Sequence, residues 1–326
     1  MQARNTAVVW VLLAAASVAW AGGVPPWLGR EIGQAPATSS YRARGFFQAG
    51  VDGQQAEMCY VDHLLTAAVP IHQDEQTAWT ADLTVGALHS DTDGRLPATR
   101  DAFPPALWDV RVGLSHRRRL SEAWTLGLRA EVGSPSDRPF ASGSETVVAA
   151  TGTLRWDTGE STAWAFLLNW TNDREFLRYA PLPGVAWLYE PSDDLSVMAG
   201  VPMSSARWRP APRLTLEGTY LLLRTVHAKV SYELAKPLSV YAAFDMENRR
   251  YLRHDRADDD DRLAYYAKRV AGGVRWRITR YTVVDVSGGW AFDRFFFEGE
   301  DYDDRGRNRL DLADGAFLAL TCRLRF

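Results

Sequence analysis

Six histidines, two cysteines and two acidic runs are where this chain could do chemistry. The first run, residues 255–261, reads DRADDDD and holds Asp258, Asp259, Asp260 and Asp261. The second, residues 298–304, reads EGEDYDD and holds Glu300, Asp301, Asp303 and Asp304. Carboxylate oxygens suit Ca²⁺. Neither run has the D-x-D-x-D-G spacing of a defined calcium loop. The competing reading is a solvated loop whose like charges repel. Nucleophilic catalysis needs a hydroxyl or thiol, a base and a group that orients the base. Ser115 and His116 are adjacent, and on a strand their side chains point to opposite faces. His227 shares a strand face with Lys229 and Glu233, as part of a charged network. His63, His72, His89 and His254 have no partner pattern. No catalytic set stands out, so the chain is read as no enzyme, with no cofactor.

The whole-chain balance narrows the classes. The 326 residues carry 37 Lys+Arg against 40 Asp+Glu, a net charge of −3, which gives no case for a nucleic-acid partner. Hydrophobic residues make up 46% and aromatics 12%, too much for a disordered chain. The mean hydropathy of −0.25 and the lack of repeated long apolar runs exclude a helical membrane bundle. Cys59 and Cys322 are too few for a disulfide framework or a Cys-rich zinc site.

Residues 1–21 read as a secretory leader. Arg4 supplies the positive start, Ala7 to Ala19 the short apolar core, and Ala19-Trp20-Ala21 the cleavage signal. Residues 22–40, rich in Gly, Pro, Ala and Ser, read as a mobile lead-in. Residues 41–326 then form one domain.

That domain alternates with period two. Trp124, Leu126, Leu128, Ala130 and Val132 share one face, against Thr125, Gly127, Arg129 and Glu131 on the other. Val226, Ala228, Val230, Tyr232 and Leu234 stand against His227, Lys229, Ser231 and Glu233. Charges recur in mid-strand on the polar face: Arg111, Arg129, Glu131, Arg155, Glu217, Lys229, Glu233, Asp285 and Arg323. Aromatics gather toward strand ends, among them Trp79, Trp124, Trp156, Trp164, Trp276 and Tyr281. Apolar-out, polar-in strands with aromatic girdles are the pattern of a transmembrane barrel. Closure is demanded because hydrocarbon cannot satisfy an open sheet edge. A soluble sandwich would share the periodicity and bury the apolar face instead. Connections separate the two. Short ones (117–122, 157–161, 190–194, 235–237 and 279–280) mostly alternate with long polar ones (90–106, 134–144, 171–184, 253–262 and 298–314). The expectation is an all-β, antiparallel up-and-down transmembrane β-barrel. Sixteen segments read as strands, but those over residues 185–209 are short and broken by proline. About 14 strands are therefore expected, within 12–16.

The chain ends Leu320-Thr-Cys-Arg-Leu-Arg-Phe326. Leu320, Cys322, Leu324 and Phe326 alternate up to a terminal Phe. This resembles the C-terminal signal of outer-membrane proteins, which implies recognition by the barrel-assembly machinery. Residues 181–191 (PLPGVAWLYEP), 198–202 (MAGVP) and 207–210 (RWRP) resemble a bacterial family of outer-membrane barrels of unknown function. The resemblance implies a porin-like barrel over most of the chain in the bacterial outer membrane, and brings no catalytic residues. The functional expectation is a passive pore or structural barrel for small polar solutes. The alternatives are a barrel-embedded lipid-modifying enzyme, or a receptor or adhesin using the acidic loops. Cys59 and Cys322 both fall on the lipid-facing set. They could be neighbours only if residues 41–50 were not a strand, and two free thiols are favoured.

Overall fold

The computed structural model describes residues 24–96, 99–174, 179–222, 225–306 and 308–326. The leader assigned to residues 1–21 lies outside them. The strands are β1 (Thr38–Gly50), β2 (Glu57–Gln73), β3 (Thr77–Thr92), β4 (Ala106–Arg119), β5 (Trp124–Ser136) and β6 (Val147–Asp157). They continue as β7 (Thr162–Thr171), β8 (Leu182–Ser192), β9 (Leu195–Val201), β10 (Met203–Ala211), β11 (Leu214–Leu221) and β12 (Thr225–Ala235). The last are β13 (Leu238–Tyr251), β14 (Arg262–Arg277), β15 (Thr282–Gly299), β16 (Arg309–Leu312) and β17 (Gly315–Arg325).

From β1 to β16 neighbours in the chain pair antiparallel, and β1 pairs with both β2 and β17. The short β16 pairs with the far end of β15, and β17 continues along the rest of it. These two therefore form one stave, broken at Ala313-Asp314, and the ring closes with sixteen staves. The count corrects the expected 14. The proline-broken stretch contributes β8, β9 and β10 in full. Pro202 sits in the link between β9 and β10, while Pro183, Pro191 and Pro210 each stand one residue inside a strand end. At strand ends a proline takes little from the ladder.

The two faces are inverted relative to a soluble protein. Leu128 is 50% exposed and Leu320 47%, whereas Asp62 is 0% and Glu131 7% exposed. Arg249 of β13 reaches Asp62 of β2 at 2.7 Å although the strands are not neighbours, so the charged face is the inside. An outer belt of Val, Leu and Trp suits a bilayer and not water. Near the short turns Trp124, Trp156, Trp164 and Trp187 lie in one register row across β5–β8. Trp124 stacks on Trp156 at 5.4 Å. Indole rings, apolar with one polar edge, suit the membrane–water boundary.

Turns at one end are short: 74–76, 120–123, 158–161, 193–194, 212–213, 236–237 and 278–281. The opposite end carries the longer connections, β3–β4 (93–105), β5–β6 (137–146), β7–β8 (172–181), β13–β14 (252–261) and β15–β16 (300–308). Inside that end the lumen is narrowed by an apolar cluster including Phe46, Tyr60, Leu88, Tyr265 and Phe296. Leu96 and Phe103 join it from the 93–105 loop, Phe103 meeting Phe296 at 4.7 Å.

Candidate functional site

The lumen is where chemistry concentrates, and register assembles it. Arg44 stands opposite Asp62 in the β1–β2 ladder. Asp62 accepts from Arg249 at 2.7 Å and from Arg42 at 3.4 Å, with Arg44 at 3.8 Å. Glu247 takes Arg269 at 2.6 Å, Arg249 at 2.7 Å and Arg44 at 3.4 Å. Four guanidiniums thus share two carboxylates. Nearer the short turns Asp285 faces Arg275 in register, accepts from it at 3.2 Å and lies 4.0 Å from Arg323. Asp285 also accepts from the Tyr241 hydroxyl, and the Lys229 ammonium stands 3.8 Å from the centre of the Tyr241 ring. His227 bonds Asp245 at 2.7 Å.

The β3–β5 wall is differently charged. Arg129 donates to Asp82 at 2.7 Å and to Glu131 at 2.6 Å. Arg111 donates to Asp109 at 2.5 Å and to Glu131 at 3.3 Å. Here two guanidiniums meet three carboxylates. Charges taken out of bulk water persist only when paired this closely. Opposed walls of unlike balance set a field across the lumen.

Both mouths are narrowed. At the long-loop end the Leu252 amide donates to the Pro135 carbonyl at 2.6 Å, joining β13's end to that of β5, half the ring away. The 252–261 loop then lies across the mouth. Arg253 donates to Asp101 (3.0 Å) and lies 3.0 Å from Glu298. The His254 amide donates to Asp137 (2.7 Å), and its ring meets Glu145 (3.1 Å). Arg256 bonds the Ser144 carbonyl at 3.1 Å. Burial pushes the Glu145 carboxyl up, but Ser142 and His254 outweigh it and hold the group below the usual carboxylate range.

At the short-turn end residues 24–37 run along the rim as a strap. The Val24 amide donates to Ser196 of β9 at 2.9 Å. Arg155 donates to the Leu28 carbonyl at 2.5 Å, and Arg117 to the carbonyls of Glu31 (3.0 Å) and Gly29. Gln73 and Ala35 exchange two bonds of 3.2 Å. The Leu28 side chain is buried among Ala163, Leu188 and Met198. Gly33 has φ +84° and lies so close to the 74–76 turn that a Cβ would stand 2.1 Å from the Asp74 carbonyl oxygen. The composition of residues 22–40 predicts a mobile lead-in. Instead 24–37 are fastened to the rim and 38–40 belong to β1. A polar cleft of about 350 Å³ lies beside the strap's start, between Val24, Glu190 and Arg207. A wider groove of about 610 Å³ lies in the wall, where Val230, Val270 and Trp290 face outward.

Of the charges that the sequence pattern picks out, Arg111, Arg129, Glu131, Lys229, Asp285 and Arg323 stand in the luminal clusters. Arg155 holds the strap, and Glu217 lies 3.8 Å from Arg207. Glu233 has the inward parity but is exposed at the mouth. The pattern misses Arg42, Arg44, Asp62, Asp82, Asp109 and Arg249. Parity was the available signal, since Arg42 and Arg44 alternate with Tyr41 and Ala43.

The acidic loops mostly bond themselves. Asp258 caps the Asp260 amide (2.9 Å), Asp301 that of Asp303 (2.8 Å), and Asp304 that of Glu300 (3.1 Å). Asp259 pairs with Arg256 at 3.2 Å. Burial, then Asp258 and Asp304, push the Asp261 carboxyl up. Among the described residues no three His, Cys, Asp or Glu side chains converge to hold a metal. Ser115 bonds the Thr80 carbonyl, while His116 stacks on Trp79 on the other face. No hydroxyl bonds the second ring nitrogen of His227 among the described residues. Cys59 and Cys322 are free, because β1 stands between their strands. Leu320, Cys322 and Leu324 face outward on β17, and the Phe326 amide donates to the Ala37 carbonyl at 2.8 Å.

No family model matches the chain, and no curated protein does. Several solved structures are loosely similar. An outer membrane channel from Pseudomonas putida F1 is 14% identical, with 93% of this chain and 100% of that one covered, at a TM-score of 0.39. The toluene transporter TodX of Pseudomonas putida is 8% identical, with 92% and 98% covered, at 0.40. The translocator domain of the autotransporter NalP from Neisseria meningitidis is 10% identical, with 90% and 89% covered, at 0.34. At so loose a likeness, function has to be read from the chain's own residues.

Proposed function

We propose that this barrel is a passive channel of the bacterial outer membrane for small polar solutes. The observation that carries it is the lumen itself. A closed ring of sixteen staves surrounds charged side chains that bond across the interior, between β2 and β13. Rings of this size characteristically enclose aqueous passages. A buried ion pair is often no more stabilising than an apolar filling of the same volume, so stability alone does not call for these arginines. The strap at one mouth, and the apolar cluster with the 252–261 loop at the other, make the passage narrow. The same reading has residues 1–21 removed on export and the alternating C-terminus read by the assembly machinery. It places the acidic loops against outer-leaflet lipopolysaccharide, and it keeps the narrower resemblance to an uncharacterised porin-like family. Planar-bilayer conductance and swelling of liposomes in sugars of graded size test it. Small sugars should enter and larger ones not. A folded barrel that neither conducts nor admits sugar returns the protein to a structural or receptor role.

A further inference from the structure

We propose that the luminal wall formed by β12–β15, β17, β1 and β2 is an anion path, on which clustered arginines take small solutes bearing a carboxylate or phosphate group. This rests on the channel reading and names its substrate class. Two clusters make the path. Around Asp62 and Glu247 stand Arg42, Arg44, Arg249 and Arg269. Around Asp285 stand Arg275, Arg323 and, on the Tyr241 ring, Lys229. Two further acids border them. Asp245 is bonded to His227, and Glu217, opposite Lys229 in register, is paired with Arg207. Even with these counted, cations outnumber carboxylates at both levels, so internal pairing leaves positive charge over.

The clusters do not use up their own donors. Arg42 Nε, Arg249 Nη2, Arg269 Nη1 and Arg323 Nε are sealed from the lumen with no hydrogen-bond partner among the described residues, so solute contact falls to the exposed faces of the guanidiniums. A guanidinium offers its N–H groups in a planar fork that matches a carboxylate or phosphate edge. The side chains of Arg42, Arg275 and Arg323 are 27%, 28% and 33% exposed, so a solute in the lumen can reach them. On the β3–β5 wall the cluster around Glu131, with three carboxylates to two guanidiniums, turns anions toward the anion path. Cationic side chains lining a constriction are the means by which pores select anions.

The test uses the full mature chain, refolded and inserted into a planar bilayer under a KCl gradient. Chloride should permeate several-fold more readily than potassium. Inorganic phosphate on one side should reduce the chloride current. In the double variant Arg275→Gln/Arg323→Gln the chloride preference should fall toward unity and the phosphate effect should weaken. Heat-modifiable gel migration reports whether that variant folds. If it does not, Arg42→Gln reads the same change at the other cluster. A conducting barrel that prefers potassium, or neither ion, overturns the anion path and leaves the channel standing. A folded barrel that is silent overturns both.

Discussion

Asp62 shows what a single residue does here. It has no exposed surface, and three arginines lean on it, two from β1 and one from across the lumen. Replacing it with Ala leaves Arg42 without its carboxylate and Arg44 and Arg249 with Glu247 alone, in a low-dielectric interior. Such losses cost about 3–5 kcal/mol. Urea unfolding of Asp62→Ala in lipid vesicles should show a drop of that order, and a loss below about 1 kcal/mol would mean that water screens the cluster. Asp74 gives a contrasting case on an exposed turn. The backbone amides of Gln76 and Thr77 hold its carboxyl down to about 2. With the folded pKa depressed, the unfolded chain takes up the proton first on acidification. The stability Asp74 contributes is complete above an ordinary Asp pKa of about 4 and is lost as pH falls through about 2. The gap in melting temperature between wild type and Asp74→Ala should therefore be constant above about pH 5 and close toward pH 2. At this scale the sequence shows parity, which says which charges share a face. It does not show that Arg249 meets Asp62, because that pairing depends on how many staves separate β2 from β13.

The strap is the element least visible in the sequence. Strands advertise themselves because every second side chain meets the same solvent, so β5 and β12 are legible from their alternation alone. The strap has no such repeat. Its partners Arg155 and Arg117 are far along the chain, and Leu28 looks like any apolar residue in a Gly- and Pro-rich stretch. What holds it is burial of one leucine, worth about 2 kcal/mol, and a few bonds from luminal arginines to its carbonyls. Leu28→Asp places a charge in the pocket of Ala163, Leu188 and Met198 and should release the strap. Single-channel conductance should then rise several-fold while the barrel stays folded. Gly33→Ala should act in the same direction, because its Cβ has no room against the 74–76 turn. Unchanged conductance in both variants would show that the strap decorates the mouth without narrowing it.

For the whole molecule, ring size decides what the parts can do. Proline interruptions over residues 185–209 hold the sequence-based count to about 14 staves, yet those prolines lie at strand ends and the ladder passes through. Sixteen staves place β13 half a ring from β5, so the bond from Leu252 to Pro135 carries the 252–261 loop across the long-loop mouth. The strap and this loop are two narrowings at opposite ends of one lumen. Resistances in series add, so opening the lesser of them changes little while the greater still limits the current. Shortening the loop by deleting 254–260 should raise conductance modestly, and Leu28→Asp should do so to a different degree. The two changes together should raise it by more than the sum of the separate gains, since only the apolar cluster beneath the loop then narrows the lumen. Single-channel recordings on the four proteins decide the matter. If one change alone reaches the conductance of the pair, the other mouth is already wide enough for solutes, and the passage has a single gate.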